Sequence, residues 1–226
     1  MINLAKYIDH TLLSSAGTKQ DVEKLCNEAK EYGFYAVCVQ PIQTKNAVET
    51  LKGTDVKVAA VTGFPHGATY TEIKVEETKK CLADGANEID MVINVGALKE
   101  GNLALVKDEI KKLADLCHGA AAKLKVIIET GLLTDEEKVT ACKLSVEAGA
   151  DCVKTSTGVL KESKPATVED VKLMYETVKD FGLFVKASGG VSDSKGAKAL
   201  IEAGASRIGT SSGIKIITGE NSNTLT

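Results

Sequence analysis

The sequence predicts a (β/α)8 (TIM) barrel in a single domain, on three observations. Short β-branched runs alternate with longer segments of helical periodicity along the whole chain. Several later helical segments end in a glycine just before the next strand, at Gly85, Gly149, Gly182 and Gly204, and Glu-Ala-Gly-Ala occurs at both 147–150 and 202–205, as turns from helix to strand require. The 226 residues, 43% of them hydrophobic, suit one core rather than two, slightly short of the about 250 residues typical of such a barrel. An open doubly wound sheet is the alternative architecture, but the G-x-G-x-x-G fingerprint is absent after the first strands.

Taken in order, the expected strands are Tyr7–Leu12, Phe34–Val39, Val56–Thr62, Glu88–Asn94, Leu124–Thr130, Cys152–Thr155, Leu183–Ser188 and Arg207–Thr210. The expected helices are Lys19–Glu31, Gln43–Leu51, Thr69–Ala83, Asn102–Cys117, Asp135–Ala148, Val168–Asp180 and Ser194–Ala203. The economy in length falls at the end, where Ile214–Thr218 leaves room for an eighth helix that is short or absent. One domain is thus expected over 1–226, closed by a polar tail at 219–226 that buries too little to offset the entropy of ordering it and is expected to be mobile.

Net charge is -3 without basic runs, which gives no electrostatic footprint for nucleic acid or acidic lipid. No stretch approaches twenty apolar residues, and no apolar run of signal-peptide length opens the chain, so no membrane partner and a cytoplasmic location are expected. The six cysteines lack C-x-x-C spacing and read as buried thiols; His10, His66 and His118 are scattered, so no metal is expected. Oligomeric state is not fixed by sequence, with a homodimer as the candidate.

Chemistry concentrates in Asp151-Cys152-Val153-Lys154-Thr155-Ser156-Thr157-Gly158. A lysine in the middle of a strand aims an ammonium at a packed interior, which costs several kcal/mol unless it is paired or loses its proton. The device recurs at Lys186, followed by Ser188-Gly189-Gly190. In Glu88–Asn94, residues 89, 91 and 93 form an apolar face for the helix layer, which turns Glu88, Asp90, Val92 and Asn94 toward the lumen. Asp90 then needs a cation, and Lys154 and Lys186 are available. On charge alone a structural ion triad and a catalytic one fit equally well. The loops favour catalysis: Gly189-Gly190 after the seventh strand and Gly209-Thr210-Ser211-Ser212-Gly213 after the eighth match the usual phosphate site of this fold. With the ordinary lysine pKa near 10.4, only roughly one lysine in a few thousand is neutral at pH 7, so an amine nucleophile needs a neighbouring cation or desolvation, and the second lysine is placed to supply it. Asp9, which shares a face of the first strand with Tyr7 and Thr11, is the expected ordering residue; Cys38 and Cys152 read as packed thiols near the lumen, and for Glu129 and His66 structural and site roles are not separable.

The motifs Asp-Cys-Val-Lys-Thr-Ser-Thr-Gly, Val-Lys-Ala-Ser-Gly-Gly, Glu-Ile-Asp-Met-Val, Val-Thr-Gly-Phe-Pro-His-Gly at 61–67, Lys-Val-Ile-Ile-Glu-Thr at 125–130 and Arg-Ile-Gly-Thr-Ser-Ser-Gly at 207–213, in this context, resemble the deoxyribose-phosphate aldolases, a family of class I aldolases. The likeness runs from Ile8 to Gly213. It implies cleavage of 2-deoxy-D-ribose 5-phosphate to D-glyceraldehyde 3-phosphate and acetaldehyde, without metal or organic cofactor. It further implies Lys154 as the Schiff-base nucleophile, Lys186 as the lysine that perturbs it and Asp90 as the proton-relay carboxylate. Gly158, Ser188, Gly189, Gly190, Gly209, Ser211 and Ser212 are the expected substrate-binding residues, with Asp9, Thr155 and Cys38 around them. Two departures stand out. Many relatives follow the Gly-Gly loop with Val or Ile and then arginine, where this chain has Val191-Ser192 and its sole arginine is Arg207, which leaves Lys161 or Lys215 as substitutes. Longer relatives end in a tyrosine assigned to proton transfer, whereas the last tyrosine here is Tyr175, so that role is vacant or filled by water. A phosphate-binding isomerase, another Schiff-base aldolase and a silent sugar-phosphate binder are the competing readings, since fold does not fix chemistry.

Overall fold

The computed structural model describes residues 2–219, so the expected tail at 219–226 lies outside the described residues except for Gly219, the C-cap of the last helix. Eight parallel strands close into a barrel in sequence order, with β8 pairing back onto β1. They are β1 (Ile8–Leu12), β2 (Ala36–Val39), β3 (Lys57–Thr62), β4 (Glu88–Val92), β5 (Lys123–Ile127), β6 (Cys152–Lys154), β7 (Phe184–Ser188) and β8 (Ala205–Thr210). The outer layer comprises α1 (Lys19–Tyr32), α2 (Thr44–Thr50), α3 (Thr71–Ala83), α4 (Val95–Lys99), α5 (Leu103–Gly119), α6 (Asp135–Glu147), α7 (Val168–Val178), α8 (Ser194–Glu202) and the six-residue α9 (Gly213–Thr218).

Local chemistry sets the helix ends. Thr18 with Asp21 and Thr134 with Glu137 form capping boxes at α1 and α6, devices worth about 1 kcal/mol each. At Gly204, φ is +114° and a β-carbon would fall 2.4 Å from Cγ of Tyr175, so only glycine closes that turn. Tyr175 itself is therefore in the outer layer, away from the barrel mouth.

The apolar residues divide as period two dictates. Ile89, Met91 and Ile93 join the main core between barrel and helices, together with Val153, Val185 and Ala187. Inside the barrel the apolar cluster is small: Cys38, Ala59 and Val61, with Leu13 and Phe64 against them. Ala36, Val92, Ile127 and Cys152, buried and outside the main core, alternate with the charged residues that fill the rest of the lumen.

Three expectations require correction. Asn94 does not face the lumen; β4 ends at Val92, and the Asn94 side-chain oxygen accepts the Ala97 N–H at 3.0 Å to cap α4, a short helix the periodicity did not reveal. Tyr7 ends a 3-10 turn (Leu4–Tyr7) and packs against the outer core instead of sharing the lumen face of β1. β8 begins two residues before Arg207, and the reason matters for the site. Ala205 packs in the outer core while Arg207 points inward, although regular alternation would put both on one face. The register with β7 jumps from Val185↔Ala205 to Lys186↔Arg207, a bulge that leaves Ser206 unpaired and turns Arg207 into the lumen.

Candidate active site

Strand register brings the charges together. Asp90 lies opposite Lys125 on β5, and Lys154 lies opposite Lys186 on β7. Because all four point inward, their side chains meet on the barrel axis. Asp90 is the hub: its Oδ2 accepts hydrogen bonds from Lys154 Nζ at 2.9 Å and Lys186 Nζ at 2.8 Å, while its Oδ1 accepts one from Lys125 Nζ at 2.6 Å. Lys186 Nζ also stands 2.5 Å from Asp9 Oδ2 as an ion pair whose alignment is not that of a hydrogen bond. Below them Arg207 donates through Nε to Asp9 Oδ1 at 2.8 Å and through Nη2 to Glu88 Oε2 at 2.8 Å, with its guanidinium 3.4 Å from the centre of the Tyr35 ring. Lys125 reaches Glu88 Oε2 at 2.5 Å.

Four cations, Lys125, Lys154, Lys186 and Arg207, thus face three carboxylates, Asp9, Glu88 and Asp90, which leaves one surplus positive charge at their ordinary ionisation. Burial alone would raise the carboxyl groups and depress the ammonium groups, but the pairing outweighs it. Lys125, Lys154 and Lys186 together hold Asp90 well below the usual carboxylate range. Lys186 and Arg207 do the same for Asp9. Against the desolvation of a fully buried site, Asp9 and Asp90 keep Lys186 above the ordinary lysine range, and Asp90 and Glu88 keep Lys125 well above it. Lys186 and Lys125 are fixed cations.

Lys154 differs by position. It ends β6 at the C-terminal mouth and, unlike Lys125 and Lys186, lines a cavity of about 540 Å³. Gly158, Ser188, Gly189, Gly190, Gly209, Ser211 and Ser212 line the same cavity, so every expected substrate-binding position converges there. Lys161 and Lys215, the expected substitutes for an arginine, do not line it. Thr155 lies behind it: its hydroxyl donates to Ser188 O at 2.9 Å and accepts from Ser188 N at 3.0 Å, tying the ends of β6 and β7. Cys38 touches Asp90 from inside the lumen, with Sγ 4.0 Å from Oδ2, and burial pushes its thiol up, as it does for Cys152. Glu129, buried at a left-handed φ of +57°, accepts from Thr157 N at 3.0 Å and Ser163 Oγ at 2.5 Å and so orders the loop after β6. His66 is exposed on the loop after β3.

Sequence reasoning missed three parts of this arrangement. Lys125 alternates with core residues Leu124 and Val126 as Lys154 does with Val153, so the same inward-lysine signal is present. Arg207 is hidden by the bulge. Gly209 reads in sequence as a loop glycine for an anion, yet a β-carbon there would fall 2.9 Å from Lys186 Cε and 3.0 Å from Ser188 Cβ; its lack of a side chain makes room for Lys186.

A closed (β/α)8 barrel with a mouth-facing lysine, a second ammonium beside it and a shared carboxylate is the arrangement that a lysine-dependent aldolase requires. The comparisons agree. Residues 3–219 match the family described as DeoC/LacD family aldolase, and the chain belongs to that family. A deoxyribose-phosphate aldolase from Aciduliprofundum boonei is 55% identical over 215 residues, 95% of each chain. Among solved structures, a putative deoxyribose-phosphate aldolase from Coccidioides immitis superposes with a TM-score of 0.92 at 42% identity, covering 96% of this chain and 85% of that one. The deoxyribose phosphate aldolase from Aeropyrum pernix, described as tetrameric, gives 0.88 at 36% identity, covering 95% and 89%. Among the described residues no helix is long and apolar enough to cross a membrane.

Proposed function

We propose that this protein is a class I aldolase that cleaves 2-deoxy-D-ribose 5-phosphate reversibly to D-glyceraldehyde 3-phosphate and acetaldehyde, with Lys154 as nucleophile. The observation that carries the reading is the position of Lys154 Nζ, at the floor of the cavity and bonded to the same Asp90 oxygen as the buried Lys186. Loss of one proton from Lys154 removes the surplus positive charge of the lumen. The neutral amine adds to the C1 carbonyl, and loss of water from the carbinolamine gives an iminium. A base removes the C3 hydroxyl proton, the C2–C3 bond breaks, and its electron pair moves into the iminium to form an enamine as glyceraldehyde 3-phosphate leaves. Protonation at C2 and hydrolysis release acetaldehyde and return the amine.

Asp90 suits the proton steps for an electrostatic reason. It is held ionised by three ammonium groups, and each passage of the Lys154 nitrogen through a neutral form removes one of them, which raises the basicity of Asp90 at the steps where a proton must move. Lys186 and Asp9 keep that carboxylate in place. Gly158, Ser188, Gly189, Gly190, Ser211 and Ser212 receive the phosphorylated end through backbone amides and hydroxyls. Borohydride reduction with acetaldehyde is the test: an adduct located at Lys154 by peptide mass supports the reading, and an adduct at Lys186 reverses the assignment. A proton-transfer isomerase or a silent binder gives none.

The reading extends to setting. One domain over 1–226 is consistent with the single closed barrel of the described residues. A cytoplasmic location is supported by six buried free thiols, the form a reducing compartment maintains. A homodimer is supported by exposed Ile42, Tyr70 and Ile73 on the neighbouring β2–α2 turn and α3, and light scattering decides it against a tetramer like that described for the Aeropyrum pernix protein.

A further inference from the structure

At the floor of the lumen Arg207 has no direct part in the chemistry, yet it is held on three sides. It donates to Asp9 Oδ1 at 2.8 Å and to Glu88 Oε2 at 2.8 Å, and the Tyr35 ring covers its guanidinium at 3.4 Å. Burial alone would press it to give up its proton, but Asp9 and Glu88 hold it above the ordinary arginine range, so its charge persists at any pH an assay uses.

The ion pairs of the lumen are unequal. Lys125 pairs with Asp9, Glu88 and Asp90, Lys186 with Asp9 and Asp90, and Arg207 with Asp9 and Glu88. Among the described residues Lys154 pairs with Asp90 only, through the oxygen it shares with Lys186, and of the four cations it is the one that lines the cavity. Lys154 is therefore the least firmly held. The other lumen-facing groups do not change the balance. Cys38 on β2 and Cys152 on β6 stay neutral because burial pushes both thiols up, and β3 presents Ala59 and Val61. Lys57 and Lys123 begin β3 and β5 at the exposed rim, where solvent screens them, and Glu129 is engaged by Thr157 N and Ser163 Oγ in the loop after β6.

A buried cluster is costly when its charges do not balance. With Arg207 in place, balance is reached when one cation has released a proton, and Lys154 is the one free to do so. Without Arg207, three ammonium groups would match three carboxylates, and a neutral Lys154 would leave a buried negative charge. Arg207 also occupies Asp9 Oδ1, which leaves Oδ2 to Lys186. Resting on the aldolase reading, we propose that Arg207 is a positioning residue for the Schiff-base step, acting through Asp9 and Glu88 from the floor of the lumen: its permanent charge makes the free amine of Lys154 the balanced form of the barrel interior.

The experiment follows the initial rate of acetaldehyde trapping at Lys154 by cyanoborohydride against pH, together with kcat for 2-deoxy-D-ribose 5-phosphate, in protein shown to be folded by circular dichroism. Arg207→Met moves the midpoint of the trapping profile up by at least about one pH unit and lowers kcat at pH 7 at least about tenfold, a loss that shrinks as pH rises. Arg207→Met/Glu88→Gln restores the surplus positive charge and brings the midpoint back to within about 0.5 unit of the original. Glu88→Gln alone leaves Arg207 bonded to Asp9, enlarges the surplus and moves the midpoint down by at least about 0.5 unit, a test that stands even where Arg207→Met fails to fold. A midpoint that stays in place in folded Arg207→Met or in Glu88→Gln overturns the proposal, as does an equal loss of kcat at every pH, the mark of a merely structural role. An adduct at Lys154 in the unmodified protein with unmoved midpoints in the variants removes this inference and leaves the aldolase reading standing, whereas no adduct in the unmodified protein removes both.

Discussion

Gly209→Ala tests whether the lumen is as tightly fitted as its ion pairs imply. The backbone at this position is not in the left-handed region, so alanine is permitted locally and any effect must come from the added methyl. That methyl would stand 2.9 Å from Lys186 Cε and 3.0 Å from Ser188 Cβ, where carbon atoms prefer about 3.5–4.0 Å, so a shift of about 0.5–1 Å is needed. Lys186 has nowhere to go: it is fully buried and its Nζ is held by Asp9 at 2.5 Å and Asp90 at 2.8 Å. Overpacking of this kind costs about 1–3 kcal/mol, which for a chain of this size lowers the melting temperature by roughly 2–12 °C. Displacing an ammonium bonded to the Asp90 oxygen that also holds Lys154 should reduce kcat about 10–100-fold. Thermal melting by circular dichroism and acetaldehyde release measure the two effects. Gly119→Ala, where an added methyl meets nothing within 4 Å, is the control and should stay within about 0.5 kcal/mol. A Gly209→Ala protein that melts within about 1 °C of the original and turns over at the original rate refutes the close fit.

Three further outcomes follow from the same network. Lys154→Leu abolishes both turnover and the borohydride adduct; residual adduct elsewhere in that variant removes Lys154 from the mechanism. Lys125→Met leaves Asp90 Oδ1 and Glu88 without their shared ammonium and should destabilise by about 3–5 kcal/mol in urea unfolding, part of which Lys125→Met/Glu88→Gln recovers; strict additivity of the two changes would deny the contact. The pH dependence of stability has a definite sign on each side. Asp9 and Asp90 are held below their unfolded value near 3.9, so their contribution is complete above about pH 5 and is lost as pH falls through the lower folded values. Lys125 and Lys186 are held above their unfolded value near 10.4, so theirs is complete below about pH 10 and is lost only as pH rises through the higher folded values. Melting temperatures that fall between about pH 6 and 9 would contradict both halves.

Much of this molecule is legible in one dimension because its two governing periods are local. Alternation with period two reports which face of a strand is apolar, so Ile89, Met91 and Ile93 alone are enough to turn Asp90 inward, and Val153 is enough to turn Lys154. Helix–glycine–strand repetition then defines the barrel, and the barrel defines which strand ends face the cavity. What the sequence by itself could not determine is how far along the axis each inward charge sits, because that depends on register between strands distant in the chain. Register between β4 and β5 brings Lys125 opposite Asp90, and closure of the barrel through β8 and β1 brings Asp9 to Lys186 and Arg207, so that four cations meet three carboxylates. A bulge that releases Ser206 decides that Arg207 enters the lumen, and a bulge is a property of two paired strands. Gly209 is the sharpest case: a glycine in sequence is equally a turn, an anion cradle or an empty volume, and only the side chain that fills the space, here that of Lys186 from the neighbouring strand, decides which.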